Sequence, residues 1–278
     1  MLALHSLVLA VAINTAPTET RYLATVEGSW EAHFRPSIIQ LNLHIARERG
    51  SSTFIRTYNV EDLRELRRER RAVGFELRRP AGIFRFDGAT RDLRASGTFG
   101  FTPDASFKKS VERLGLTGIT RSHLLTFALH DLTLDDIRVL QRTVYGKLTT
   151  QALVRMLDAD ATPNFVRDMA GIGYGKLTPQ LLINVRNHEV DADYIRGMRA
   201  VGLVDFTLAD YIKMRDHDVT AEFAQSIFQL GYDCLDLEDL VRLRDHGITA
   251  DYAQTLNKAA GEKLSVDELI RNRVDLDF

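Results

Sequence analysis

The strongest constraint on this chain is a regular beat of helix-capping residues. Thr133, Thr162, Asp191, Thr220 and Thr249 stand 29 residues apart without a gap, and Asp104 falls one step earlier. A second register, Thr120, Thr149, Thr178, Thr207, Asp236 and Ser265, keeps the same spacing. Thr, Ser and Asp side chains accept amide protons that a helix's first turn leaves unbonded, so each of these residues marks a helix start. Two starts in every 29 residues predict a helical hairpin, repeated six times from Asp104 onward.

The positions between the caps agree. Pro163 and Pro179 directly follow a cap, where a missing N–H does no harm. Asp210, Asp239 and Glu268 stand three residues after theirs, placed to return a bond to the cap's own amide. Gly115, Gly173, Gly202 and Gly231 share the phase at which the first helix of a hairpin should end in a left-handed residue. Phe107, Phe165, Tyr194, Phe223 and Tyr252 share another phase, predicted as core, and Leu153, Leu182, Tyr211, Leu240 and Leu269 mark the second helix. Spacings of three and four give each helix one apolar face. Helices of about ten residues are marginal alone, so their stability must come from stacking, as in a solenoid. The second repeat is degenerate, with Asp136 for the aromatic and Val144 for the glycine. The last carries Ala260, Asn272 and Asp275 at apolar, glycine or His phases, as a terminal cap would.

From Tyr22 to Phe101 the period changes to two. Leu41, Leu43 and Ile45 alternate with polar or small residues, as do Phe75 and Leu77, then Phe84 and Phe86. Pro80-Ala81-Gly82 and Asp87-Gly88 read as turns, and Gly97 to Phe101 as a closing strand. Five to seven strands are expected, interrupted by a salt-bridged surface helix over 61–71, capped by Asn59 or by its acidic first turn. Trp30, the only tryptophan, is expected in the core or as a barrel plug. Charge shifts at the same boundary. Residues 17–103 hold 15 Arg, no Lys and 11 acids, against 21 basic and 27 acidic residues from Asp104 onward.

The chain is therefore expected to be α+β. A leader over 1–21 precedes an N-terminal antiparallel β meander or partly closed barrel over 22–103. An α-solenoid of six 29-residue αα-hairpin repeats follows over 104–278. The apolar run from Leu2 to Ile13 is too short to span a bilayer. It has the length of an export-signal core, though without a basic start, and an N-terminal strand or frayed leader is the alternative. The single cysteine, Cys234, excludes an internal disulfide framework and reads as a small, partly buried filler.

Catalytic signatures are missing. Gly171-Ile172-Gly173-Tyr174-Gly175 sits at a hairpin corner with no strand before it. His188-Glu189 begins a zinc-protease pattern, but Ala192 stands where the second histidine belongs. No serine occupies a nucleophile elbow. His130, His188, His217 and His246 share one phase, and Arg186, Arg215 and Arg244 precede the last three by two residues. Stacked helices lie about 8–10 Å apart, too far for these imidazoles to share one zinc at about 2 Å. They suit the negative end of the second helix. The rival reading is a ladder that meets a partner or senses pH, which makes His188, His217, His246, Arg186, Arg215 and Arg244 the candidate partner-binding residues. No metal or cofactor is expected.

The text from His217 through Leu230-Gly231-Tyr232 to Leu237-Glu238-Asp239-Leu240-Val241-Arg242-Leu243-Arg244-Asp245-His246-Gly247-Ile248-Thr249 resembles helical repeats attached to beta-lactam-sensing antirepressor-type bacterial membrane metallopeptidases. Gly74 to Gly88, with Gly97 to Pro103, is similar to the β-rich segment that precedes those repeats. The zinc motif and membrane helices of that class are absent from this sequence. The resemblance implies an extracytoplasmic sensing or interaction module, periplasmic or secreted, without the peptidase; the alternative location is the cytoplasm.

Three functions are weighed. The first is a non-enzymatic module that binds a protein or peptide along the helical surface. The second is a small apolar ligand binder whose β-domain interior is lined by Phe75, Leu77, Phe84, Phe86, Phe99 and Phe101; the alternative is that the same residues simply fill that interior. The third is an enzyme with an unfamiliar site, for which Asp191 and Asp193 are already explained as helix-start residues. The formal net charge of -2 predicts no general attraction to nucleic acid.

Overall fold

The computed structural model describes residues 26–47 and 50–274, so the leader over 1–21 and Asp275 lie outside the described residues. The chain divides into two compact units, one ending at Thr133 and the other beginning at Leu134.

The first unit contains a seven-stranded antiparallel sheet: β1 (Val26–Phe34), β2 (Ile38–Arg47), β3 (Gly50–Asn59), β4 (Leu63–Glu69), β5 (Ala72–Arg79), β6 (Gly82–Arg91) and β7 (Arg94–Pro103). The strand order is β3-β2-β1-β7-β6-β5-β4. The edge strands β3 and β4 do not pair, so the expected partly closed barrel is instead an open sheet.

Alternation sets its faces. Trp30, Ala32 and Phe34 of β1 lie opposite Leu43, Leu41 and Ile39 of β2, and all six are buried. Glu31 and His33, between them, face the other way with Asn42 and Gln40. Trp30 is fully enclosed, edge-on to Phe75 at 5.4 Å and Phe86 at 5.7 Å. Its indole N–H donates to the Thr98 carbonyl at 3.0 Å, so this donor is not stranded in the core.

Two sequence expectations fail here. Residues 61–71 are not a helix; one 3₁₀ turn, Val60–Asp62, leads into β4, and Asn59 makes no side-chain cap. Leu63 and Leu66 are three apart, which mimics a helical face. A register shift between Arg64 and Arg67 inserts one extra residue, and Glu65 takes a φ of 53° there. Such a bulge returns residues three apart to the same side of a strand. Asp87-Gly88 is likewise not a turn but lies within β6, and the chain reverses at Asp92-Leu93. Gly88 faces Gly97 across the ladder. A Cβ on Gly88 would meet the Ser96 carbonyl oxygen at 2.2 Å, and one on Gly97 the Asp87 carbonyl oxygen at 2.0 Å. These glycines serve close strand approach.

Twelve α-helices are found among the described residues: α1 (Ala105–Arg113), α2 (Arg121–Leu129), α3 (Leu134–Thr143), α4 (Thr150–Asp158), α5 (Pro163–Gly171), α6 (Pro179–Asn187), α7 (Ala192–Ala200), α8 (Leu208–Asp216), α9 (Ala221–Phe228), α10 (Leu237–Asp245), α11 (Ala250–Ala260) and α12 (Val266–Val274). The first two belong to the sheet's unit, where α2 packs on β6 and β7 with Leu124 to Leu129 all buried. In the second unit most helices pack against the one two places along. One row is α3, α5, α7, α9 and α11; beside it α4 packs on α6, α8 on α10 and α10 on α12.

The caps explain where these helices begin. Thr178 Oγ1 accepts the Leu181 amide at 3.2 Å, and Asp191 and Thr220 accept at the same offset. Glu268 closes a reciprocal box with Ser265, and Asp210 one with Thr207. Asp239 does not; its carboxylate faces Arg242 at 3.4 Å instead. The four glycines at the predicted phase have φ between 86° and 99°. After the second helices, Asp131, Asp160, Glu189 and Asp218 are also left-handed at the next common phase. Cys234 is exposed, not a partly buried filler, because Tyr232 takes the core position in that connection.

Candidate functional site: the edge of the helical hairpins

His188, His217 and His246 are the first residues beyond α6, α8 and α10. Each backbone amide still bonds to a helix carbonyl, so each ring sits at the negative end of its helix. Arg186, Arg215 and Arg244 lie in the last turns of the same helices. The three histidines share one repeat phase and the three arginines another, and five of the six, all but His246, take part in two kinds of rung.

The first kind joins successive hairpins. His188 Nδ1 lies 2.6 Å from Asp216 Oδ1, and His217 Nδ1 lies 2.7 Å from Asp245 Oδ1. Arg186 pairs with Asp160 at 3.1 Å, and Arg215 with Glu189 at 3.1 Å. Two of the left-handed acids, Asp160 and Glu189, thus meet arginines of the following hairpin. The second kind lies within a hairpin. Arg186 stands over Phe165 at 5.7 Å, Arg215 over Tyr194 at 5.2 Å, Arg244 over Phe223 at 5.4 Å and Arg273 over Tyr252 at 5.3 Å. A guanidinium over an aromatic face contributes about 0.5–1 kcal/mol at an exposed site. The aromatic ladder is therefore a shelf under arginines as well as core. Burial also pushes the Tyr194 hydroxyl up in pKa, and that hydroxyl donates to the Val219 carbonyl at 2.8 Å.

No known protein family, curated protein or solved structure matches this chain.

The six candidates are not equivalent. His188, His217, Arg186 and Arg215 are held by acids of neighbouring hairpins. His246 and Arg244 are exposed, and neither meets a carboxylate among the described residues. The phase that supplies Asp216 and Asp245 next reaches Val274, which offers no acid. The acids of these rungs, and Arg273, escaped sequence reasoning, although Asp216 and Asp245 stand 29 residues apart as plainly as the histidines do. Among the described residues no group of three or more His, Cys, Asp or Glu is placed to hold a metal ion.

The sheet offers less to an apolar ligand. Phe75, Leu77, Phe84, Phe86, Phe99 and Phe101 are all buried. Phe75 stacks on Phe86 at 4.5 Å, and Phe84 lies 4.7 Å from Phe101. The rings fill one another's space.

Proposed function

We propose that this protein is a non-enzymatic interaction module whose six hairpins form an α-solenoid. In this reading a protein or peptide partner lies along the edge of the second helices. The observation that carries it is the recurrence of arginine–aromatic and histidine–aspartate rungs at the repeat spacing. Rungs of this kind make a charged edge whose pattern recurs at the hairpin spacing, as in the extended surfaces that solenoids offer to partners. The exposed pair Arg244 and His246 is where a partner's carboxylates would dock, since acids from within the chain occupy the corresponding groups earlier in the array. The resemblance to repeats of antirepressor-type sensing proteins supports an extracytoplasmic setting, with residues 1–21 as the export leader. No helix among the described residues is long and apolar enough to cross a membrane.

The test is cross-linking in the native host, comparing the wild-type chain with Arg244→Ala/His246→Ala and with His188→Gln/His217→Gln. The expected outcome is that the first variant loses a cross-linked partner at unchanged melting temperature, while the second lowers the melting temperature. A partner retained by Arg244→Ala/His246→Ala overturns the docking site.

A further inference from the structure

The sheet carries a second feature that the helical reading does not use. A cleft of about 1320 Å³ opens on the first unit. Its walls come from three turns at one end of the sheet: β1–β2 with Arg35, β4–β5 with Arg70 and Arg71, and β6–β7 with Arg91 and Arg94. Backbone bonds hold the turns together, from the Phe34 amide to the Leu93 carbonyl at 2.8 Å and from the Thr90 amide to the Arg71 carbonyl at 2.7 Å.

Several other arginines of this sheet are engaged. Arg78 and Arg85 bracket Glu76 at 2.9 and 2.7 Å, Arg79 lies 3.7 Å from Asp131, and Arg68 lies over Phe34 at 3.9 Å. None of the five cleft arginines has an ion pair among the described residues. Glu31 and Asp92 are the acids of the lining, which leaves three net positive charges in a chain of net charge -2. Such a cluster repels itself and persists only against some compensation. Arg70 also holds a φ of 52°, a left-handed conformation costly for a long side chain.

The floor adds a polar requirement. Asn42 lines the cleft, and its Oδ1 is buried without a hydrogen-bond partner. An orphaned amide oxygen calls for a donor. Guanidinium forks match the oxygens of phosphate in a bidentate manner. We infer that this cleft binds a phosphorylated sugar or polyol, with phosphates against Arg35, Arg91 and Arg94 and a ligand hydroxyl donating to Asn42 Oδ1.

The test is calorimetric titration of the full chain at physiological salt with fructose 1,6-bisphosphate, inorganic tripolyphosphate and free fructose. The bisphosphate should bind and free fructose should not. Arg94→Ala and Asn42→Asp should each weaken the bisphosphate by at least about tenfold, with Arg138→Ala, on the helical unit, leaving it unchanged. Asn42→Ala should weaken the bisphosphate but not tripolyphosphate, separating hydroxyl recognition from charge alone. Circular dichroism of each variant guards against misfolding. The proposal is overturned if the bisphosphate does not bind, if Arg94→Ala leaves binding intact in a folded protein, or if Asn42→Ala affects both phosphates equally. It is also overturned if phosphatidylglycerol vesicles bind the chain and the bisphosphate does not compete, since the arginines would then serve a lipid surface.

Discussion

Individual side chains decide where the short helices begin and end. Thr178 accepts the Leu181 amide at the start of α6, and removing such a cap costs about 1 kcal/mol. Thr178→Ala should therefore lower unfolding free energy by about that amount in urea titrations; a loss of under about 0.3 kcal/mol would mean that the cap carries no weight. The helix ends make a sharper test. Asp218 and Glu189 are both left-handed, a conformation that favours glycine. Glu189 also pairs with Arg215, whereas no carboxylate partner role is seen for Asp218 among the described residues. Asp218→Gly should raise stability by about 0.5 kcal/mol, while Glu189→Gly should gain less, because its ion pair is lost. Equal gains would show that the cross-hairpin pair is worth nothing.

On the sheet, burial pushes the Glu76 carboxyl up, but hydrogen bonds from Arg85 and Arg78 outweigh it and hold the pKa below the ordinary carboxylate range. A carboxylate depressed in the folded state contributes stability that is full above its unfolded pKa and is lost as pH falls through the folded value. Wild-type stability should therefore decline on acidification below about pH 4.5, the ordinary value for glutamate. Glu76→Gln should be less stable at pH 7 and flatter in that acid window. Parallel pH profiles for the two proteins would remove Glu76 from the acid response.

At the scale of elements, regularity governs what could be read in advance. The helices were legible because caps, proline and glycine recur at fixed phases in the sequence, and each recurrence checks the others. The sheet was legible in its alternating runs, with Leu41, Leu43 and Ile45 on one face as read. It was not legible where a local exception copies another period. The bulge at Glu65 gave β4 a helical leucine spacing, and Gly88 in mid-strand looked like a turn because close backbone approach and chain reversal both call for glycine. The burial of α2 had a signal that was not used: its run Leu124 to Leu129 lacks the polar face of the other second helices. The site was half legible. The histidines and arginines were found by phase, but their acid partners sit one hairpin away, and only the fold shows which rungs close. Those rungs predict a coupling. In a double-mutant cycle, His217→Gln and Asp245→Asn should interact by up to about 1 kcal/mol, since both side chains are partly exposed. Strict additivity would reduce the rung to coincidence.

For the whole molecule, division into two compact units makes stability a question of which unit a change touches. Trp30 is the only tryptophan and lies in the core of the sheet, so its fluorescence reports that unit. The ellipticity at 222 nm reports mainly the ten helices of the second unit found among the described residues. A methyl group at Gly97 has no room, because the Asp87 carbonyl lies 2.0 Å from where its Cβ would be. Overpacking of this kind costs about 1–3 kcal/mol. At the other end, Leu269 and Ile270 of α12 cover a cluster that includes Ile227, Leu243 and Ile248. Leu269→Ala should remove about 2–5 kcal/mol from that terminal packing. Gly97→Ala should shift the fluorescence transition to lower denaturant and leave most of the helical transition in place. Leu269→Ala should do the reverse, because the cluster it packs in lies wholly within the second unit. If both variants move both signals together by the same amount, the chain unfolds as one cooperative body, and the stability of the helical array does not reside in its own stacking.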